Sequence, residues 1–362
     1  MVQRSGRSKS KTKSGFTLVE LLVVIGIIAL LISILLPALN KANRAAKVVY
    51  CESNLKSLLN AMHIYADANN GYLPGSPVTT GFGANQVSFT AGTAGEPDIM
   101  QNWDWQTPLY RAMGSNIAPL TSDNDRFTRY IKFAAMGIFS CPEATSYTSA
   151  PYGTAATTSL PSSFPMPSYM TALAFLITPD YGNQGYMKTG TMGFTLPDGY
   201  APRLNKVGNW SLKIYVCDGA KFTAPGTPLD TEMSYNANQD SEGGAFSDIG
   251  SYGASNPQGT VTAPQALNRA AAQSTYLPVY PNPDPRVFGY RHGYSKPLGR
   301  SDSYKFNAGF FDGHVETLGD LESSNPIFWI PKGSYISPQN IEPDTVSHFG
   351  INLLSPRFSI NQ

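Results

Sequence analysis

Glu20 is an acid inside an apolar stretch. The segment Gly15-Phe16-Thr17-Leu18-Val19-Glu20 opens a run in which no further charge occurs before Lys41. A carboxylate in hydrocarbon costs about 2.5–3.5 kcal/mol on insertion scales, so it calls for a cationic partner or for an interfacial position. Near the other end of the chain, His292, Asp312 and His314 offer two imidazoles and a carboxylate, a donor set that suits zinc or iron. Asp312-Gly313 is also a hairpin-turn signal, and one His beside a turn is ordinary strand packing. The chain contains four His and no HExxH, GxSxG or P-loop pattern, so turn chemistry is the preferred reading. No catalytic residue and no metal ligand set is assigned. Asp123-Asn124-Asp125 has the acids of a calcium loop but lacks the Gly and distal Glu of an EF-hand. Calcium is therefore kept as an option without ligands, and no other cofactor is expected.

The three cysteines, Cys51, Cys141 and Cys217, are too few and too scattered for a disulfide framework or a zinc knuckle. Cys51 falls where the N-terminal helix should meet a domain, Cys141 stands before Pro142 at a strand end, and Cys217 lies in an apolar strand. The expectation is a Cys51–Cys141 bond outside the cytoplasm, with Cys217 a buried thiol.

The elements that position these groups begin with a basic leader. Arg4, Arg7, Lys9, Lys11 and Lys13 give the first fifteen residues +5, which leaves the rest of the chain at −4, since 26 basic and 25 acidic residues are present in all. A mildly acidic body argues against nucleic acid as a partner. Residues 21–40 carry no charge; twenty helical residues span about 30 Å, the thickness of a bilayer core. The positive leader predicts a cytoplasmic N-terminus and an exported remainder. Pro37 should kink or loosen the helix near the end of this run. Beyond it, Leu55, Leu58, Leu59, Met62 and Tyr65 recur at helical spacing, with Lys56 and Asp67 off the stripe. Asn69-Asn70-Gly71, followed by Pro74, is the stop signal.

The body is rich in Gly (33) and Pro (28), with only 14% charged residues, the composition of a loop-rich exported domain. Residues 75–100 lack a helical period. Residues 103–113 and 126–136 predict short helices, and Ile138-Phe139-Ser140-Cys141 a short strand turning at Pro142. The segment 144–168 is low in complexity and predicts a surface loop, and 231–285 is a long polar stretch. Residues 212–219 predict a buried strand ending in an Asp-Gly turn, and 307–318 a hairpin about Asp312-Gly313.

An ordinary secretory signal is cut after its apolar region. Here Gly15 stands before the apolar run and is followed directly by Phe16, with Glu20 inside the run. This arrangement resembles the type IV prepilin signal. The resemblance implies cleavage between Gly15 and Phe16, N-methylation of Phe16 by a prepilin peptidase/methyltransferase, and retention of the apolar helix as membrane anchor and assembly element. It implies a role for Glu20 in assembly, paired with the α-amine of Phe16 on a neighbouring subunit, and a helix proline at the place of Pro37. Cys51 with Ser53-Asn54-Leu55-Lys56, residues 65–74, the Phe-x-Cys-Pro at Cys141, and the Arg-His-Gly and Asp312-Gly313-His314-Val315 segments resemble a pseudopilin branch with large periplasmic domains. That branch sets its His closer to the Asp-Gly than the nineteen residues between His292 and Asp312.

The expected fold is α+β and pilin-like: a long N-terminal α-helix packed on an antiparallel β-sheet domain with long loop insertions. Four segments are expected: leader 1–15, transmembrane and assembly helix 16–39, amphipathic continuation 40–70, and extracytoplasmic domain 71–362. The expected function is a structural, non-enzymatic subunit of a type II secretion pseudopilus or a type IV pilus-like filament, single-pass in the inner membrane with a periplasmic or cell-surface domain. Its partners would be the prepilin peptidase, copies of itself or related pilins, an inner-membrane assembly platform and the lipid bilayer, with no nucleic acid. The alternative is a stand-alone, membrane-tethered binding domain, or less readily an enzymatic one, that uses the same processing pathway.

Overall fold

One helix, α1 (Leu18–Ala68), runs without a break through the apolar stretch and the amphipathic one, with Pro37 inside it. In the computed structural model the described residues are 17–76, 104–118, 123–144, 168–179, 194–219, 305–338 and 343–362, with short pieces at 147–148, 164–165, 246–247, 252, 292 and 341. The leader with Gly15 and Phe16, residues 77–103, and most of 144–168 and 231–285 lie outside them. The chain divides into two compact units, 1–46 and 47–362.

Within the first unit, the Leu, Ile and Val side chains from Leu18 to Leu39 are 45–78% exposed. That exposure rules out a buried core helix, and the segment has the mean hydropathy of a membrane span, 3.1. Thr17 precedes the first helical turn. Its backbone N–H and its hydroxyl each donate to Glu20 Oε2 at 2.8 Å, and the Glu20 N–H donates to Thr17 Oγ1 at 3.3 Å. This Thr-x-x-Glu exchange is a capping box, which satisfies donors that a helix start leaves without partners.

In the second unit the helix is striped. Cys51, Asn54, Leu55, Leu58, Leu59, Met62 and Ala66 are buried, while Lys56, Asn60 and Asp67 are exposed. Each fully buried Leu or Met contributes about 1.5–3 kcal/mol. The stop is as predicted: Gly71 N–H returns to the Ala66 carbonyl at 2.7 Å, and Asn70 and Gly71 adopt φ of 54° and 80°. Among the described residues two short helices follow, α2 (Gln106–Ala112) and α3 (Asp123–Ala135). Asp123-Asn124-Asp125 therefore opens a helix. The strand expected around Phe139 is instead a 3-10 turn over Gly137–Phe139, because Phe139 N–H bonds locally to the Met136 carbonyl.

The strands are β1 (Tyr147–Thr148), β2 (Phe164–Pro165), β3 (Tyr169–Ala172), β4 (Phe194–Thr195), β5 (Ile214–Asp218), β6 (Phe246–Ser247), β7 (Lys305–Phe310), β8 (Val315–Gly319), β9 (Tyr335–Ile336) and β10 (Phe358–Ser359), with a helix α4 (Pro343–Phe349) between the last two. The main sheet has the order β6-β3-β5-β7-β8. Its pairings are antiparallel, save that β6 joins β3 in parallel. Small sheets β10-β9-β4 and β1-β2 complete the α+β fold. The β7–β8 hairpin turns where expected, with Gly313 at φ 92° and its N–H on the Phe310 carbonyl at 2.9 Å. Gly219 extends the pairing, its N–H bonding the Ser168 carbonyl at 2.8 Å beyond the end of β5, and the turn expected after it lies outside the described residues. A Cβ there would overlap the Met170 side chain, so close approach explains this glycine.

Helix α1 lies against this sheet through complementary pieces. Gly309 on β7 leaves room for Leu59, whose Cδ1 would stand 2.9 Å from a Cβ at that place. Thr317 Oγ1 on β8 donates to Glu52 at 3.0 Å, and Lys56 Nζ donates to the Gly313 carbonyl at 2.6 Å. Asn54 Nδ2, buried in the interface, donates to the carbonyls of Gly137 at 2.7 Å and Ser140 at 3.2 Å.

Candidate functional site

Among the described residues two groups carry chemistry, and each belongs to its own unit. The first is the helix start. Glu20 holds both donors of Thr17, and those contacts leave the second carboxylate oxygen, Oε1, to accept from another donor. Among the described residues no cation meets Glu20. Thr-x-x-Glu ahead of an apolar run is a recognised sequence signal for this geometry; attention to the lone charge hides it.

The second group is buried. Cys51 on α1 is joined to Cys141, with Cα atoms 5.3 Å apart and 90 residues between them in sequence. Cys217 stays outside that bond, buried in β5. The turn after the 3-10 segment, closed by Ala144 N–H on the Cys141 carbonyl at 2.8 Å, presents Glu143. The backbone N–H of His292 donates to the Lys305 carbonyl at 3.0 Å, beside the start of β7, and this sets its ring among three segments. His292 Nδ1 lies 2.9 Å from Glu143 Oε2. Its Nε2 lies 2.9 Å from Asp218 Oδ2 and 3.8 Å from Cys141 Sγ. Asp218, at the end of β5, also accepts the Asn307 backbone N–H from β7 at 2.7 Å. The His292 and Asp218 side chains are fully buried, and Glu143 is 14% exposed.

Burial alone pulls the His292 imidazole down. The hydrogen bonds and charges of Asp218 and then Glu143 outweigh it and hold the ring above its ordinary value. A buried imidazole flanked by two carboxylates thus stands next to the disulfide that ties α1 to the turn at Pro142.

His292, Asp312 and His314 do not form one site. Asp312 lies past the far end of β7, where its Oδ1 accepts the His314 N–H at 3.1 Å and meets His314 Nδ1 at 2.6 Å. The His314 ring stacks on Phe310 at 4.1 Å between centroids. Asp312 and His314 thereby brace the turn, and burial, which raises the Asp312 carboxyl, is overcome by His314, which lowers it. Glu143 and Asp218 were not among the sequence candidates. Their signals were an acid directly after Cys-Pro and an acid closing the apolar run Ile214-Tyr215-Val216-Cys217, both easily taken for turn residues.

Residues 10–36 match the prokaryotic N-terminal methylation motif. Over 53 residues the chain is 40% identical to the competence protein ComGC of Halalkalibacterium halodurans, which is 15% of this chain and 52% of that protein. The chain thus spans about half the length of this relative. No solved structure matches it.

Proposed function

We propose that this chain, whose N-terminal segment carries the prokaryotic methylation motif and is similar to a competence pilin-like protein, belongs to the type IV pilin-like family and is a structural subunit of a helical filament, either a type II secretion pseudopilus or a pilus-like fibre. The observation that carries the reading is the contiguous Gly15-to-Glu20 segment leading into an uncovered apolar helix. The precursor enters the inner membrane with its basic leader in the cytoplasm and residues beyond the apolar run outside. A prepilin peptidase cuts after Gly15, and Phe16 becomes the methylated N-terminus. Only the leader leaves, so the helix remains as anchor until the subunit is drawn into the assembly. The Cys51–Cys141 bond fits export, because disulfides persist in oxidising compartments.

Cleavage creates a cation at Phe16, one helical turn from Glu20. Thr17 already occupies one oxygen of that carboxylate, and the other accepts the amine of a neighbouring subunit. In hydrocarbon an unpaired charge is expensive and a paired one much less so. Pairing between subunits therefore favours one axial stagger and sets the register of addition.

Three substitutions separate the cap from the charge. Glu20→Gln keeps an acceptor for the capping box and loses the charge; Thr17→Ala keeps the charge and loses the cap; Glu20→Ala loses both. All three should be inserted and cleaved. Filament yield after shearing should fall tenfold or more for Glu20→Gln and Glu20→Ala, and only a few-fold for Thr17→Ala, whose lost cap costs about 1 kcal/mol. Wild-type yield from the processed Glu20→Ala protein would favour a tethered, stand-alone domain over a filament subunit.

A further inference from the structure

We propose that, before the Cys51–Cys141 bond forms, Cys51, Cys141, His292 and Asp218 together hold one zinc ion. One donor atom from each of the four lies within 4.8 Å of all the others. Tetrahedral zinc, with bonds of about 2.0–2.3 Å, spaces its ligand atoms about 3.3–3.8 Å apart. The 3.8 Å between Cys141 Sγ and His292 Nε2 is already such a spacing. The 2.9 Å between Nε2 and Asp218 Oδ2 is that of a proton shared where the metal would sit. Two thiolates, an imidazole and a carboxylate favour zinc over calcium or magnesium, because soft sulfur donors select it.

The orientation of the imidazole is the stronger argument. Glu143 Oε2 takes Nδ1 at 2.9 Å, which fixes the tautomer and leaves Nε2 facing both the sulfur and the second carboxylate. A zinc-ligating His has the same arrangement, with its distal N–H on a carboxylate. The four donors come from α1, the turn after Gly137–Phe139, the end of β5 and the segment at His292. A metal there would pin the helix to the sheet before any covalent link exists.

The two states exclude each other, since a disulfide has no thiolate to give. When the bond forms, the Cys51 thiolate attacks a disulfide oxidant, whose sulfur–sulfur bond breaks and releases one thiolate. The Cys141 thiolate then displaces the second. Two electrons pass to the oxidant, the Cys51–Cys141 bond forms, Zn²⁺ departs, and His292 takes up a proton at Nε2. The sulfurs draw together by about 1.7 Å.

The test uses the full chain purified in detergent, reduced by a phosphine without oxygen, with Co²⁺ as the probe. One equivalent should give a thiolate-to-cobalt charge-transfer band with the visible bands of tetrahedral cobalt, bleached by Zn²⁺. The oxidised chain, Cys51→Ser and Cys141→Ser should give no such band, and Cys217→Ser should give the full one. Glu143→Gln, a positioning change, should keep the band and weaken affinity 10–100-fold. If the reduced apo chain loses structure, Zn²⁺ should restore its circular dichroism, since metal binding drives folding in such sites. Absence of the band in the reduced wild type, folded or not, overturns the proposal, as does a band that needs Cys217 or survives Cys51→Ser. Filament assembly by the oxidised protein is unaffected by either outcome.

Discussion

The two stretches of α1 lie in one helix and obey different rules. From Leu18 to Leu39 its large apolar side chains are uncovered all round, and the one acid is held by the helix's own cap. From Cys51 to Ala66 the apolar residues form one stripe, and three polar residues on or beside it reach across to the body: Asn54 to Gly137, Glu52 to Thr317, Lys56 to Gly313. The first stretch is specified by composition, which suits a liquid solvent such as lipid that covers any face equally. The second is specified position by position, because a sheet covers only one face. The same contrast applies to charge: Lys41 and Arg44 stand exposed in the first unit, whereas in the second His292 is enclosed with two carboxylates.

The comparison breaks at once if the first stretch is not an anchor. Gly15→Leu puts bulk at the scissile bond, and the chain should keep its leader and yield no filaments. Mass spectrometry of the wild type should begin at N-methylated Phe16, and of the variant at the precursor's own terminus. A mature terminus near Ala38 would mean that the apolar stretch is a removable signal, and the contrast between the two halves would lose its functional meaning.

The next effect in size concerns the second stretch. The Cys51–Cys141 bond closes a loop of 90 residues, worth about 4–5 kcal/mol in the chain-entropy model. Cys51→Ser should therefore lower the unfolding free energy of the body by several kcal/mol without changing membrane insertion or leader cleavage. Urea unfolding in detergent, read beside a processing blot, separates the two. Equal loss of processing would show that the two stretches do not act independently.

Much of this was legible, for reasons the two stretches make plain. An apolar helix long enough to span a membrane is written in composition over twenty residues, and the N-terminal methylation motif in a contiguous segment, so both are legible without knowledge of the fold. The stripe of Leu55, Leu58, Leu59 and Met62, the stop at Gly71, the apolar strand Ile214–Asp218 and the hairpin at Gly313 are local patterns too. The triad of Glu143, Asp218 and His292 is assembled from residues 75 and 74 apart in sequence, a separation no local pattern encodes. His292 was instead grouped with Asp312 because both stood near one motif; a six-residue strand, β7, separates them. The strand expected at Phe139 was lost to a 3-10 turn because hydrogen bonds to nearby residues satisfied the backbone first.

The smallest predicted effect sharpens the contrast in how the units treat charge. Lys213 is fully buried, and its Nζ donates to the carbonyls of Ile327 at 2.6 Å and Ile330 at 2.8 Å. A neutral amine has two N–H groups, enough for both. Burial, and then the positive charge of Lys332, lower its pKa from 10.5 to about 7. The unfolded lysine keeps its proton up to about pH 10.5, so between that value and about pH 7 the unfolded state binds more protons. Stability must then rise with pH across this window and level off below it. Between pH 7 and pH 9 the gain should be about 2 kcal/mol, read from urea midpoints. Lys213→Met should remove that slope, at a cost of about 1–3 kcal/mol for two carbonyls left without their donor. Lys41→Met, which alters an exposed lysine of the other unit, should leave the slope untouched. A wild-type midpoint that does not move between pH 7 and pH 9 would mean that Lys213 remains charged in the folded chain, and that the body tolerates a buried cation without a carboxylate.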